Sequence, residues 1–246
     1  MQPKTIAIAF FDVLGTEERS FSRPLSMLVR AAKLLARIAR RDRGRFVIDA
    51  VSGAQQQEDG TVVSPTSLYT FDPEFDYRSD SIIIWSIFDR ARIFHFCDAC
   101  ADFFCDVLEQ RIPLRGGIAV GVGYMDKNSG IYVGRPLAEA VRVEAAQAWI
   151  GVSFGPSFTN EPHRRSLLPE HVLEFTAHRK SGHPWIPGQV LDWPRRWRSR
   201  YGTSPAEAIR DMNTDARYSA YYEMTLKFIE LSATRALHPL HQLQRV

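Results

Sequence analysis

From Ile6 to Phe11 every residue is apolar, and Asp12 closes the run just before the turn-prone Gly15 and Thr16. A strand with no polar face must be covered on both sides, so residues 5–12 read as a buried strand that delivers an acid to its exit turn. The rest of the chain must supply layers above and below it. After Pro24, Leu25, Leu28, Val29, Ala32, Leu35 and Ile38 recur at helical spacing, with arginines and a lysine on the other face, predicting a helix that ends near residues 42–44. Residues 46–51 and 61–63 read as short strands around a polar, turn-like stretch, an irregular excursion.

Residues 75–78 and 81–88 read as a hairpin whose tight turn carries Asp80. Residues 89–111 form an amphipathic helix that Asp89 is placed to cap, with Ile93, Phe96, Cys97, Cys100, Phe103, Phe104, Val107 and Leu108 on one face. A glycine-punctuated strand follows over residues 113–124, where the glycines point to close approach of backbone or ligand. A short strand (131–133), a helix (136–148) and a strand (149–154) complete the series. The order β-α-β-β-α-β predicts an α+β sandwich of the ferredoxin-like split type, with extra C-terminal strands and helices. Residues 1–155 are read as the core of the domain. Residues 156–246 are read as a C-terminal extension of the same domain, irregular to about 203 and ending in a helix from Ser204 or Asn213 to about Ala236.

Size and charge exclude other classes. The chain has 246 residues, 45% hydrophobic and 24% charged, enough for one sizeable core. A net charge of +3 lacks the basic excess of a DNA binder. No apolar run is longer than eight residues and no charged-then-apolar leader is seen, so neither membrane insertion nor secretion is expected and the location reads as cytoplasmic. Cys97, Cys100 and Cys105 then argue against a disulfide framework and, on a helix's apolar face, against a metal site.

In the split arrangement the strand ending at Asp12 and the strand beginning after Asp80 are central neighbours, so the two carboxylates can converge. An acid at a strand exit is by itself most often a turn or capping residue. Two converging carboxylates and the Val13 carbonyl instead make a set of hard oxygen donors suited to Mg²⁺ or Mn²⁺ shared with a nucleotide's phosphates. The Val13-Leu14-Gly15-Thr16 turn offers backbone N–H groups as a phosphate cradle.

These segments resemble class III nucleotidyl cyclases. FFDVLG (residues 10–15) looks like the first metal motif, SDSIII (79–84) like the second, LRGGIAVG (114–121) like the strand after the second core helix, and IYVGRPLAEAVRVE (131–144) like the dimer-interface motif. The resemblance covers residues 5–155 in the family's order. It implies that Asp12 and Asp80 hold two divalent ions, that residues 13–16 bind the triphosphate, and that Arg142 offsets charge on the transferring phosphoryl group. Without the resemblance, Arg142 reads as an exposed helix arginine paired with Glu139 or Glu144.

Departures from the family narrow the expectation. The residues with which purine cyclases read the base are replaced by Asp76 and Ile131, and the transition-state Asn position is Ala138. With SDS at the second motif and a VLDW segment at 190–193, the chain is similar to the bacterial pyrimidine cyclases of Pycsar antiphage defence. That resemblance implies a homodimer with interfacial sites that converts UTP, or alternatively CTP, to a cyclic monophosphate. It also implies an effector protein activated by the product. Arg78, or less directly Tyr77, is placed to meet the pyrimidine edge; its alternative is a solvated strand residue. A cyclase-like nucleotide sensor without turnover is the competing class, and Ala138 is its best support.

Overall fold

The computed structural model describes residues 2–15, 33, 46–49, 55–56, 62–63, 68–71, 73–78, 81–89, 93–159, 171–213 and 215–237. The helix expected after Pro24 and the side chains of Thr16, Arg78, Asp80 and His163 lie outside them.

In chain order the strands begin with β1 (Lys4–Val13), β2 (Phe46–Asp49), β3 (Gln55–Gln56), β4 (Val62–Val63), β5 (Leu68–Phe71), β6 (Glu74–Arg78) and β7 (Ser81–Ile87). Helix α1 (Ile93–Glu109) leads to β8 (Leu114–Asp126), β9 (Ile131–Gly134), α2 (Arg135–Ala145) and β10 (Gly151–Phe154). The short α3 (Pro156–Thr159) follows, then β11 (Val172–Glu174), β12 (Gln189–Leu191), α4 (Trp193–Tyr201), α5 (Ala206–Met212), a 3₁₀ turn (Ala216–Tyr218) and α6 (Ser219–Leu237).

The main sheet runs β11-β12-β10-β8-β1-β7-β6, with β9 also paired to β8. Its β8-β1-β7-β6 centre is antiparallel and has the strand order of the split β-α-β-β-α-β arrangement, while β10 joins β8 in parallel. β2 pairs with β5 and β3 with β4 in two small separate ladders, so the excursion expected at residues 45–68 contains two more short strands than the sequence suggested.

Alternation along β1 decides the two layers. Ala7, Ala9, Phe11 and Val13 join the large core that α1 fills with Phe96, Cys97, Cys100, Phe103, Phe104 and Leu108. Ile8 and Phe10 face the other way, with Ile83, Trp85, Ala119 and Ala140 under α2. Gly117 shows why the glycine-rich strand is required: a Cβ there would collide with the Ala140 carbonyl of α2. Any side chain at 117 would push the helix off the sheet.

The segment read as irregular over residues 155–203 is more ordered than its composition suggested. Its strands β11 and β12 extend the sheet, and the basic WPRRWRSR stretch is a helix. Asp192 caps that helix by accepting from the Arg195 N–H at 3.3 Å, and Gly202 ends it in a left-handed turn. Arginines alternate there with Trp193 and Trp197 because one face packs on α1 as the other meets water. Arg196 forks onto Asp102 at 2.6 and 2.7 Å, and Arg200 reaches Asp102 at 3.1 Å and Asp106 at 2.5 Å. The final helix divides into α5 and α6, with the 3₁₀ turn between them.

Candidate active site

One cross-strand row at the end of β1 collects the charged residues. The register pairs Asp12 with Ser81 on β7 and with Arg115 on β8, Ser81 with Arg78 on β6, and Arg115 with Gly151 on β10. Directly opposed residues share a face, so Asp12, Ser81 and Arg115 all stand on the α2 side of the sheet. The Ser81 hydroxyl donates to Asp12 Oδ1 at 3.3 Å. Asp80 immediately precedes Ser81, so its backbone neighbour is already in contact with the Asp12 carboxylate.

Arg115 is the one charged residue in residues 113–124, and motif reading passed over it. Its Nη2 lies 2.6 Å from Glu144 Oε1 and 3.7 Å from Asp12 Oδ2, and Nη1 donates to the Gln147 carbonyl at 3.3 Å. Its side chain is 13% exposed and that of Glu144 6%. The pair therefore sits at low dielectric, where a guanidinium attracts anions strongly. Gln147, fully buried, fixes the end of α2: its amide donates to the Gly116 and Val143 carbonyls at 2.8 and 2.9 Å, and its oxygen accepts from Trp149 Nε1 and Ser153 Oγ at 2.6 and 2.7 Å. Lys180 donates to the Ala145 carbonyl at 2.7 Å, and burial, with Arg115 nearby, pulls its pKa down. The only sequence signal for Arg115 was a charge inside an apolar, glycine-rich strand. Its partners lie 103 positions before it, at Asp12, and 29 after it, at Glu144.

The turn after β1 is tight. Leu14 N–H is committed to the Pro113 carbonyl at 2.9 Å, and Gly15 adopts φ +75°, the left-handed region. A cradle here would thus start from the Gly15 amide. The donor set at the strand end, the Asp12 carboxylate and the neighbouring Val13 carbonyl, suits a hard divalent ion, and Arg115 beside it suits the polyanion that such an ion would share.

The remaining candidates divide between the faces. Tyr77 pairs across from Ile82 and packs against the α1-side core, on the face opposite Asp12. Asp76 pairs with Ile83 on the α2 face, where it accepts from the Tyr77 N–H at 3.0 Å and the Tyr132 hydroxyl at 2.5 Å; Tyr132 in turn tilts against Trp85 with ring centroids 5.3 Å apart. Arg142 is exposed on α2 and lies over the Trp185 ring at 5.3 Å. The salt bridges considered for it are absent among the described contacts: Glu139 accepts from the Ser157 N–H at 2.8 Å, and Glu144 faces Arg115. Helix α2 therefore turns Glu144 inward to the Asp12 row and Arg142 outward.

The cysteines are buried and unbridged, and burial pushes all three thiols up. Among the described residues no group of His, Cys, Asp and Glu is arranged to hold a metal. His178 is buried between Trp149 and Phe175, and desolvation brings its pKa down to about 4. No described helix is long and apolar enough to cross a membrane.

No protein-family model matches the chain, and no curated protein does. Among solved structures it is similar to a bacterial light-regulated adenylyl cyclase, at 14% identity over 86% of this chain and 100% of that one, with a TM-score of 0.48. It is similar to the guanylyl cyclase Cya2 at 12% identity over 77% and 90%, TM-score 0.45. A third is the monomeric guanylyl cyclase domain of the RhoGC fusion protein from the aquatic fungus Blastocladiella emersonii, at 13% identity over 72% and 97%, TM-score 0.44.

Proposed function

We propose that the chain is a pyrimidine nucleotide cyclase, converting UTP to 3′,5′-cyclic UMP and pyrophosphate. The observation that carries the reading is the row Ser81-Asp12-Arg115, which sets a carboxylate at a strand end, next to the residue that follows Asp80 and beside a largely buried guanidinium. The motif resemblance supports it.

In the reaction the ribose 3′-oxygen bonds to the α-phosphorus, the bond from that phosphorus to the bridging oxygen breaks, pyrophosphate leaves and the hydroxyl proton is lost to solvent. Asp12, Asp80 and the Val13 carbonyl would hold two ions, Mg²⁺ or Mn²⁺. Bound there, divalent ions lower the hydroxyl pKa and offset charge on the departing pyrophosphate. Arg115 meets the negative charge of the phosphate chain from β8, and Gly15 and Thr16 donate backbone N–H groups to it. Arg142 faces out of its own subunit, so it serves a site completed by a second copy of the chain. The base is read without the usual purine residues, since Asp76 and Ile131 occupy their positions. Arg78, in register with Ser81, is the residue proposed for the pyrimidine edge.

CTP is the second reading. Asp76 places an acceptor-only carboxylate on the same sheet face as Asp12, and such a group favours the amino edge of cytosine over the O4 of uracil. The cyclic product would serve as a cytoplasmic messenger to an effector protein in antiphage defence.

The test is incubation of the purified chain with each ribonucleoside triphosphate and Mn²⁺, with product identified by mass. The expected result is a cyclic pyrimidine monophosphate whose formation drops at least about 100-fold in Asp12→Ala, as loss of an electrostatic catalytic group does. Nucleotide binding without turnover would leave the sensor.

A further inference from the structure

We infer that Tyr218, from the C-terminal extension, is a positioning residue for the turn that follows β1, so that the extension forms part of the nucleotide site. Only the identity of what this turn binds rests on the cyclase reading; the contact itself does not.

Gly15 holds φ +75°, and a Cβ built on it would stand 3.3 Å from Tyr218 Cε2 and 3.4 Å from the Tyr218 hydroxyl oxygen. The phenol edge thus occupies the space that a side chain at position 15 would need. A glycine in a turn has the widest choice of conformations of any residue and loses the most entropy when fixed. A ring filling that space narrows the alternatives open to the turn before any ligand arrives, which is how a loop is readied for close approach of a phosphate.

The ring is itself held. Asp215 Oδ1 accepts from the Arg217 N–H at 3.0 Å, and the Tyr218 N–H donates to the Asp215 carbonyl at 3.0 Å, closing the 3₁₀ turn. The Arg217 guanidinium forks back onto Asp215 at 3.1 and 2.6 Å and lies 5.9 Å from the Tyr218 ring centre, and Tyr221 meets that ring edge-on with centroids 5.9 Å apart. A three-residue turn carrying this many local constraints positions one side chain, and that side chain fills the space beside Gly15.

The experiment compares full-length wild type, Tyr218→Phe and Tyr218→Ala by steady-state kinetics with the preferred triphosphate, and by hydrogen exchange without nucleotide at Leu14, whose N–H is bonded to the Pro113 carbonyl, using Ile8 in β1 as internal control. Tyr218→Phe keeps the ring and is expected within about twofold of wild type throughout. Tyr218→Ala is expected to raise KM about tenfold with kcat changed less than about threefold, and to speed exchange at Leu14 about tenfold but not at Ile8. A merely structural role would speed both amides together, and that result, or an unchanged KM and Leu14 rate, overturns the inference. Should Tyr218→Ala not fold, Asp215→Ala, which loosens the 3₁₀ turn and spares the ring, must shift both readouts the same way; no shift also overturns it. If wild type cyclises no nucleotide, the cyclase reading fails while the exchange comparison still decides the role of Tyr218.

Discussion

Arg115 performs two tasks, and their sizes differ enough to separate. Its pairing with Glu144 neutralises a carboxylate that is 6% exposed, and removing one partner of such a pair typically costs about 3 to 5 kcal/mol. Its position 3.7 Å from Asp12 adds positive charge where the proposed triphosphate binds. Arg115→Ala is therefore expected to lower unfolding stability by about 3 kcal/mol and to raise KM for the triphosphate at least about tenfold. Arg115→Met combined with Glu144→Gln leaves no buried charge; urea unfolding should then recover most of the stability while KM stays high. Recovery of both would confine Arg115 to the fold. The same residue shows what sequence reading reaches. Asp12 was legible because an acid ending an apolar run is a local signal. Arg115, Glu144 and Tyr218 were not, because each acquires its meaning from a partner at least 29 positions away that only the sheet register or the C-terminal turn brings near.

Among the elements, period and punctuation were enough wherever one face of an element meets the core. The β6–β7 hairpin, α1, β8 and α2 follow their apolar spacing to within a few residues, since burial of that face drives their formation. Helix α4 was missed for the converse reason: its arginines face another helix as its tryptophans do, so polar and apolar residues do not sort onto two faces in the sequence. On α1, Asp98, Asp102 and Asp106 recur every four residues, and on α4 Arg196 and Arg200 do the same, which lays an ionic seam along the contact. Asp102 anchors it, and its hydrogen bonds hold the Arg196 guanidinium charged. Asp102→Ala is expected to cost about 2 kcal/mol in urea unfolding. That is less than a fully buried pair, because both arginines are about a third exposed and regain water. Asp211, whose bridge to Arg111 is about half exposed on both sides, provides the contrast, with a loss below about 1 kcal/mol on replacement by alanine. Equal losses at the two sites would mean that α4 is held by its tryptophans alone.

For the whole molecule, the proposed chemistry needs more than one chain, because α2 sends Glu144 to its own Asp12 row and Arg142 to the outside. Apolar exposure elsewhere is unusual: Val122 is 60% exposed, Ile131 47% and Val133 61%, all on the face of the β8–β9 hairpin opposite Tyr132 and α2. Scattered exposed apolar residues need no explanation, but a set concentrated on one face of one hairpin fits association with a second copy through that hairpin. A stable homodimer interface buries roughly 1,200 to 2,000 Å² in total, more than this set alone supplies, so neighbouring polar surface must share the contact. Val133→Asp tests the arrangement with little risk to the fold, since an exposed strand position tolerates the change to within about 0.5 to 1 kcal/mol. Wild type should sediment at twice the 28.0 kDa chain mass, with specific activity falling on dilution. The variant should sediment as a monomer with near-normal thermal unfolding and turnover reduced at least about tenfold, the loss expected if the arginine proposed to serve the partner's site is withdrawn. A monomeric variant with full activity would mean that Arg142 serves no partner's site and that the Asp12 row works within a single chain.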